Sequence, residues 1–185
     1  MKPLFVFLCL LLSFNSLAEN EQKKGEFLGS KVVEEFPGWF KTSFMDFIDD
    51  IEEASDNDKH VMIYFWQDGC PYCAKLVEEN FSDEKLSNKL IKNFDVIETN
   101  MWGDRGLVDW SEREFTEKEF ASFMKVQFTP TLIFLNSDGD IVLRLNGYQS
   151  TQKMHSVLDY VSSKSYLDES FAKYINKSKQ NVKGK

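Results

Sequence analysis

Apolar residues along the chain recur with helical spacing in some stretches and with strand spacing in others. Phe44, Phe47, Ile48 and Ile51 stand at i, i+3, i+4 and i+7, the stripe of an amphipathic helix, with Thr42 or Ser43 to cap it. Ser55-Asp56-Asn57-Asp58 ends that period. His60 to Trp66 is an almost unbroken apolar run of strand length, which predicts a strand covered on both faces. A helix-like segment, Ala74 to Asn80, follows a short loop. Ser82-Asp83-Glu84 opens another helix with Leu86, Leu90 and Ile91 on one side, and Phe94 to Thr99 reads as a second strand. Residues 100–115 show no period and read as an inserted loop.

Beyond that loop the signals sharpen again. Thr116 and Glu119 form a capping-box pair that opens a helix through Met124. Thr131 to Leu135 and Ile141 to Leu145 are two strands joined by Ser137-Asp138-Gly139-Asp140, which carries the Asp-Gly hairpin signal. Ser150 caps a helix with Met154, Val157, Leu158 and Val161 on one face, and a further helix is expected near Asp168 to Asn176. The order predicts an α/β fold, a mixed central sheet with helices on both faces and an inserted loop before the third helix. The first two strands, joined through a helix, should be parallel.

The 185 residues suit one domain with a substantial core. Seventeen phenylalanines make that core aromatic, which points to packing. The net charge of -8 argues against a nucleic-acid partner, because phosphate is met with basic faces. The last residues run the other way, with Lys173, Lys177, Lys179, Lys183 and Lys185, and read as a solubilising basic tail.

The N-terminus reads as a targeting segment. Lys2, the apolar run Leu4 to Leu12 and the closing Ser16-Leu17-Ala18 have the form of a secretory signal peptide cleaved after Ala18, a retained anchor being the alternative. The expected organisation is signal peptide 1–18, N-terminal lead 19–36, one domain 37–165, and C-terminal helix and basic tail 166–185. Export changes the meaning of the cysteines. Removing Cys9 leaves Cys70 and Cys73 alone in an oxidising compartment. A disulfide between them closes too small a loop to stabilise a domain much, so the pair reads as reactive.

Its setting supports that reading. Cys70 falls at a helix start, with Pro71 at the first full position, where unpaired N–H groups and the helix dipole favour a thiolate. Cys73 lies one turn further and is the expected resolving thiol. Zinc is disfavoured, since His60 and His155 lie far away without ligand-like spacing; no metal and no cofactor are expected. Thr129-Pro130 stands at a strand start, where a proline beside an active site is often cis.

Cys-x-x-Cys between a strand and a helix, with Thr-Pro before an antiparallel hairpin, resembles the thioredoxin fold pattern over roughly residues 40–162. Gln67-Asp68-Gly69-Cys70-Pro71-Tyr72-Cys73, Trp102-Gly103-Asp104-Arg105, Phe128-Thr129-Pro130-Thr131-Leu132 and Gly147-Tyr148 look like SoxW-type periplasmic thioredoxins. The resemblance implies a cis Pro130 facing the disulfide, Thr129 offering backbone hydrogen bonds to a docked client, and a periplasmic setting. Trp66 and Tyr72 join Thr129 and Pro130 as candidate client-binding residues.

Two positions depart from the pattern. Such proteins usually carry a buried aspartate six residues before the first cysteine; here Tyr64 stands there. Glu98 aligns with a position that often holds a lysine and is the candidate proton relay under Cys73, with a plain strand-edge glutamate as the alternative. The Pro71-Tyr72 dipeptide is that of glutaredoxins, whose potentials lie at about -200 to -230 mV. This predicts a monomeric thiol:disulfide oxidoreductase that reduces exported proteins with disulfides and is recharged by a membrane thiol-electron donor. The alternatives are a disulfide-forming oxidant and a chaperone-like binding module without turnover.

Overall fold

A computed structural model describes residues 33 and 35–183, with the side chains of 179 and 181–183 left out. The signal-peptide reading, and most of the lead, lie outside the described residues.

Four strands make the central sheet. They are β1 (His60–Trp66), β2 (Phe94–Asn100), β5 (Thr131–Leu135) and β6 (Ile141–Asn146), in the order β2-β1-β5-β6. β1 pairs with β2 in parallel, and with β5 antiparallel; β5 and β6 form the antiparallel hairpin. The mixed sheet is therefore the one that the apolar runs predict.

Alternation along β1 explains why its sequence is apolar throughout. Met62 and Tyr64 point into one core cluster, while Val61, Ile63 and Phe65 point into the other. Leu132 and Phe134 of β5 join the first cluster, Ile133 and Leu135 the second. The first face is covered by α2 (Pro71–Leu76), α3 (Glu84–Asn93) and α5 (Thr151–Ser162). The second is covered by α1 (Phe47–Asp56) and α4 (Glu117–Phe123), through Phe47, Ile51, Ala54, Phe120 and Ala121.

Local caps hold most helix starts where the sequence places them. Asp83 accepts the Leu86 N–H for α3, Thr116 and Glu119 complete a reciprocal capping box for α4, and Ser150 caps α5. α1 differs from expectation. Its cap is Asp46, which accepts from Ile48 and Asp49, and Ser43 instead donates to Asp50 at 2.5 Å. Phe44 consequently lies outside the helix and is 99% exposed, so the buried stripe begins at Phe47.

The inserted segment also departs from expectation, because it is not structureless. Gly106–Val108 (β3) and Glu114–Thr116 (β4) form a two-stranded antiparallel ribbon, and Val108 bridges to Asp46. Strands this short leave no measurable period in the sequence, which is why the ribbon is invisible there. Asp109 closes its turn, buried, accepting N–H groups from Ser111 and Arg113 and the Arg113 guanidinium at 2.5 Å.

At the C-terminus, α6 (Phe171–Lys183) continues past the expected end of the last helix into the basic tail. It is anchored by Phe171 and Tyr174 against Tyr160, at ring separations of 5.2 and 5.3 Å, and by Lys177 on Glu169 at 2.9 Å. At the other end, Phe36 packs edge-on against Tyr64 and Trp66, while Phe40 and Trp39 pack against Phe81. This aromatic group closes the first core beside the cysteine pair.

Candidate active site

β1 delivers the chain to the site. After Trp66 the loop Gln67-Asp68-Gly69 turns back, with Gly69 in the left-handed region at φ 66. Cys70 is then the N-cap of α2, in extended conformation, and Pro71 occupies the first helical position, where it costs no hydrogen bond. The helix runs on through a π-helical segment, Val77–Phe81.

The capping atom is sulfur. Sγ of Cys70 accepts the N–H of Cys73 at 3.1 Å, filling the place that an Asp or Ser oxygen takes elsewhere. A negative sulfur gains most from that bond and from the helix dipole, so the arrangement favours the Cys70 thiolate. Cys70 and Cys73 form a disulfide, with Cα atoms 5.2 Å apart. Cys73 is fully enclosed and Cys70 retains 5% exposure, so an incoming sulfur reaches Cys70 first.

The opposite wall comes from the start of β5, 59 residues away. The Thr129–Pro130 bond is cis. The Thr129 hydroxyl donates toward Cys70 Sγ at 3.4 Å, and the Thr129 carbonyl oxygen lies 3.6 Å from the same sulfur, within reach of an S–H donor in the dithiol form. Thr131 Oγ1 donates to the Phe128 carbonyl at 2.7 Å and Gly147 N–H to the Pro130 carbonyl at 2.7 Å, which pins the turn from both sides. Cys70, Cys73, Thr129 and Pro130 are thus brought together as the sequence predicts. Pro71 starts the helix, and Tyr72 stands out beside it, 60% exposed.

Trp66 and Glu98 are neighbours in a different way from the one expected. The Trp66 indole N–H donates to Glu98 Oε2 at 2.6 Å, and Arg105 pairs with Glu98 Oε1 at 2.7 Å. The described partners of Glu98 are these two, and the group that reaches the resolving cysteine is Tyr64, whose hydroxyl donates to the Cys73 carbonyl at 3.3 Å. Burial, with the Glu98 charge nearby, pushes the Tyr64 phenol above its ordinary value.

Arg105 and Tyr148 stand in motifs that the sequence singles out, but their partners escape sequence reasoning. Arg105 also grips Glu117 at 2.6 Å, and that buried carboxylate accepts the Asn100 N–H at 2.8 Å. The Glu117 hydrogen bond and the two carboxylates hold the Arg105 guanidinium above its usual range. On the far side of α2, Lys75 lies 4.7 Å above the Tyr148 ring, and the Tyr148 hydroxyl donates to Glu79. The local trace of the first network is the Trp102-Gly103-Asp104-Arg105 motif, and at Gly103 an added Cβ would lie 2.1 Å from Glu117 Oε2.

Residues 47–162 match the thioredoxin-like domain family. The chain belongs to that family. No curated protein matches this thioredoxin-like chain. Among solved structures it is similar to a thioredoxin-fold protein from Helicobacter pylori, 24% identical with a TM-score of 0.57, covering 68% of this chain and 87% of that one. A thioredoxin from Thermus thermophilus is 24% identical with a TM-score of 0.49, covering 63% and 85%. A disulphide isomerase from Xylella fastidiosa is 16% identical with a TM-score of 0.46, covering 60% and 85%. The thioredoxin-like fold here presents a capped cysteine pair against a Thr–cis-Pro wall, and the chemistry of that arrangement is thiol–disulfide exchange.

Proposed function

We propose that this protein is a periplasmic reductase of disulfides in exported client proteins, of the kind its sequence shares with SoxW-type thioredoxins. The observation that carries the reading is the Cys70 sulfur, which caps α2 through the Cys73 N–H and faces Thr129. Its thiolate attacks one sulfur of a client disulfide, and the second client sulfur leaves as a thiol. Cys73 then gives up its proton and attacks Cys70. The client's remaining sulfur leaves reduced, and the Cys70–Cys73 disulfide closes, two electrons having passed to the client.

Direction rests on the intervening Pro71-Tyr72, which carries no histidine or other cation to hold the thiolate harder. A dithiol donor at the membrane would restore the reduced form. The signal-peptide pattern of residues 1–18 supports export.

The test is to trap and to poise. Cys73→Ser should accumulate mixed disulfides through Cys70 in cells, and their partners name the clients. Equilibration with glutathione should give a potential of about -200 to -230 mV. A value near about -120 mV, that of a strong oxidant, or isolation of the protein fully oxidised from cells, overturns the reductive reading. Retention of function in Cys70→Ser/Cys73→Ser would assign a binding role without turnover.

A further inference from the structure

Trp102 is 60% exposed, although the turn that carries it is tied down on several sides. Met101 N–H donates to the Trp66 carbonyl at 2.8 Å, Trp102 N–H to Asn100 Oδ1 at 3.0 Å, and Gly103 N–H to the Asn100 carbonyl at 2.9 Å. A Cβ at Gly103 would lie 2.1 Å from Oε2 of the buried Glu117 carboxylate, so any side chain there forces that carboxylate to shift. The indole itself is oriented, because its N–H donates to Gln67 Oε1 at 3.0 Å. A large apolar ring is therefore held rigidly in water, against the loop that leads three residues later to Cys70.

Such an arrangement forgoes the burial that normally stabilises a tryptophan. Rigid, exposed aromatic rings are the form that anchor sites take in recognition surfaces, since little side-chain entropy is lost on binding. Two other exposed rings flank, along the chain, the groups that meet at the Cys70 sulfur. Phe128, 62% exposed, precedes the Thr129 that touches Cys70, and Tyr72 follows Cys70 by two residues. Trp102 adds a third exposed ring from the inserted segment, hydrogen-bonded to Gln67 in the loop that leads to Cys70.

We infer that Trp102 is a specificity-determining residue: its free face receives a bulky apolar side chain adjacent to the client's disulfide. The inference rests on the oxidoreductase reading and names the class of client segment that reading leaves open. Clients with apolar residues beside the reacting cystine are those whose disulfides become accessible when a chain is unfolded, because in folded proteins such residues are mostly buried.

The reduced protein is mixed with three disulfides: a synthetic peptide whose single disulfide is flanked by Leu and Phe, the same peptide with Ser at those places, and bis(2-hydroxyethyl) disulfide. In each case Cys70 attacks, the substrate S–S bond breaks, the Cys70–Cys73 disulfide forms, and the substrate leaves with two electrons and two protons. The wild type should show a KM about tenfold lower for the Leu/Phe peptide than for the Ser peptide, an anchor effect of about 1.4 kcal/mol. Trp102→Ala should erase most of that preference through KM, with kcat and the rate on bis(2-hydroxyethyl) disulfide within about twofold, and Trp102→Phe should keep most of it. An unchanged preference in Trp102→Ala overturns the inference, and so does an equal loss on all three disulfides, which would mark a merely structural role. If the wild type reduces the small disulfide yet shows no peptide preference, the inference falls and the oxidoreductase reading stands; if it reduces none of the three, both fall.

Discussion

The hydroxyl of Tyr64 donates to the carbonyl of Cys73 across 3.3 Å, so that the resolving cysteine's backbone is tied to the middle of β1 by a neutral, buried phenol. Thioredoxin-like sites commonly place an acid in this part of the core. Here burial and the Glu98 charge raise the phenol's affinity for its proton, so Tyr64 serves as a fixed donor rather than a titrating group.

Tyr64→Phe should therefore fold and keep its pH profile. The Cys73 carbonyl still accepts the Val77 N–H, so it is not orphaned when the phenol oxygen is removed. Urea denaturation should show a loss of about 1 kcal/mol, the net worth of one buried hydrogen bond. The pH dependence of disulfide reduction between about 6 and 9 should superimpose on that of the wild type, since a phenol with a raised pKa does not titrate in that window. A displaced profile would make Tyr64 part of the proton path.

Glu98→Gln separates the two roles open to that residue. Glutamine still accepts from the Trp66 indole, the bond seen at 2.6 Å, and loses only the charge facing Arg105. Stability should fall by about 1 kcal/mol or less, because Arg105 is half exposed and keeps Glu117. With Glu98 acting to position Trp66, the pH profile of reduction stays in place. A shift of its acidic or basic limb assigns Glu98 to proton transfer at Cys73.

His60 makes the fold sensitive to acid. Its ring is buried against Phe94 and Tyr166, with Tyr166 Oη 3.0 Å from Nε2. Desolvation, helped by the positive charge of Lys164, pushes its pKa down to about 4. In the unfolded chain the ring protonates at its ordinary value of about 6.5. Between these values the unfolded state binds the extra proton, so this contribution to stability is full above about pH 6.5 and is lost as pH falls toward about 4. The whole shift corresponds to about 3 kcal/mol, which solvent screening at the ring edge reduces to about 2 kcal/mol. Unfolding free energies of wild type and His60→Phe, measured at about pH 7 and pH 4.5, should differ in pH dependence by that amount.

Glu117 and Gly103 should behave as one unit. Glu117→Ala removes one of the two carboxylates on Arg105 and the buried acceptor of the Asn100 N–H, and should cost about 2 kcal/mol. Gly103→Ala drives a methyl into the same carboxylate and should cost about 2 kcal/mol. Because both act through one contact, the double variant should cost clearly less than the sum of the two, which a thermal-denaturation cycle measures.

Features that depend on neighbours a few residues apart are legible in the chain. The period of α5, the caps at Asp83, Thr116 and Ser150, the apolar run of β1 and the three-residue spacing of Cys70 and Cys73 are local patterns, and local geometry turns them directly into elements. The Cys70 thiolate site was legible for the same reason, since helix start and cysteine adjoin in the chain. Which distant polar groups meet depends on how the strands and helices assemble. Thr129 reaches Cys70 because β5 lies beside β1, and Glu98 meets Trp66 because the parallel register sets Glu98 opposite Tyr64. Arg105 then bridges Glu98 and Glu117, a match that no spacing encodes. Phe44 shows the reverse case: it keeps the helical period, yet the cap at Asp46 leaves it in solvent. Periodicity records which face a residue can share, whereas burial and pairing are settled only when strand order and register bring separate elements into contact.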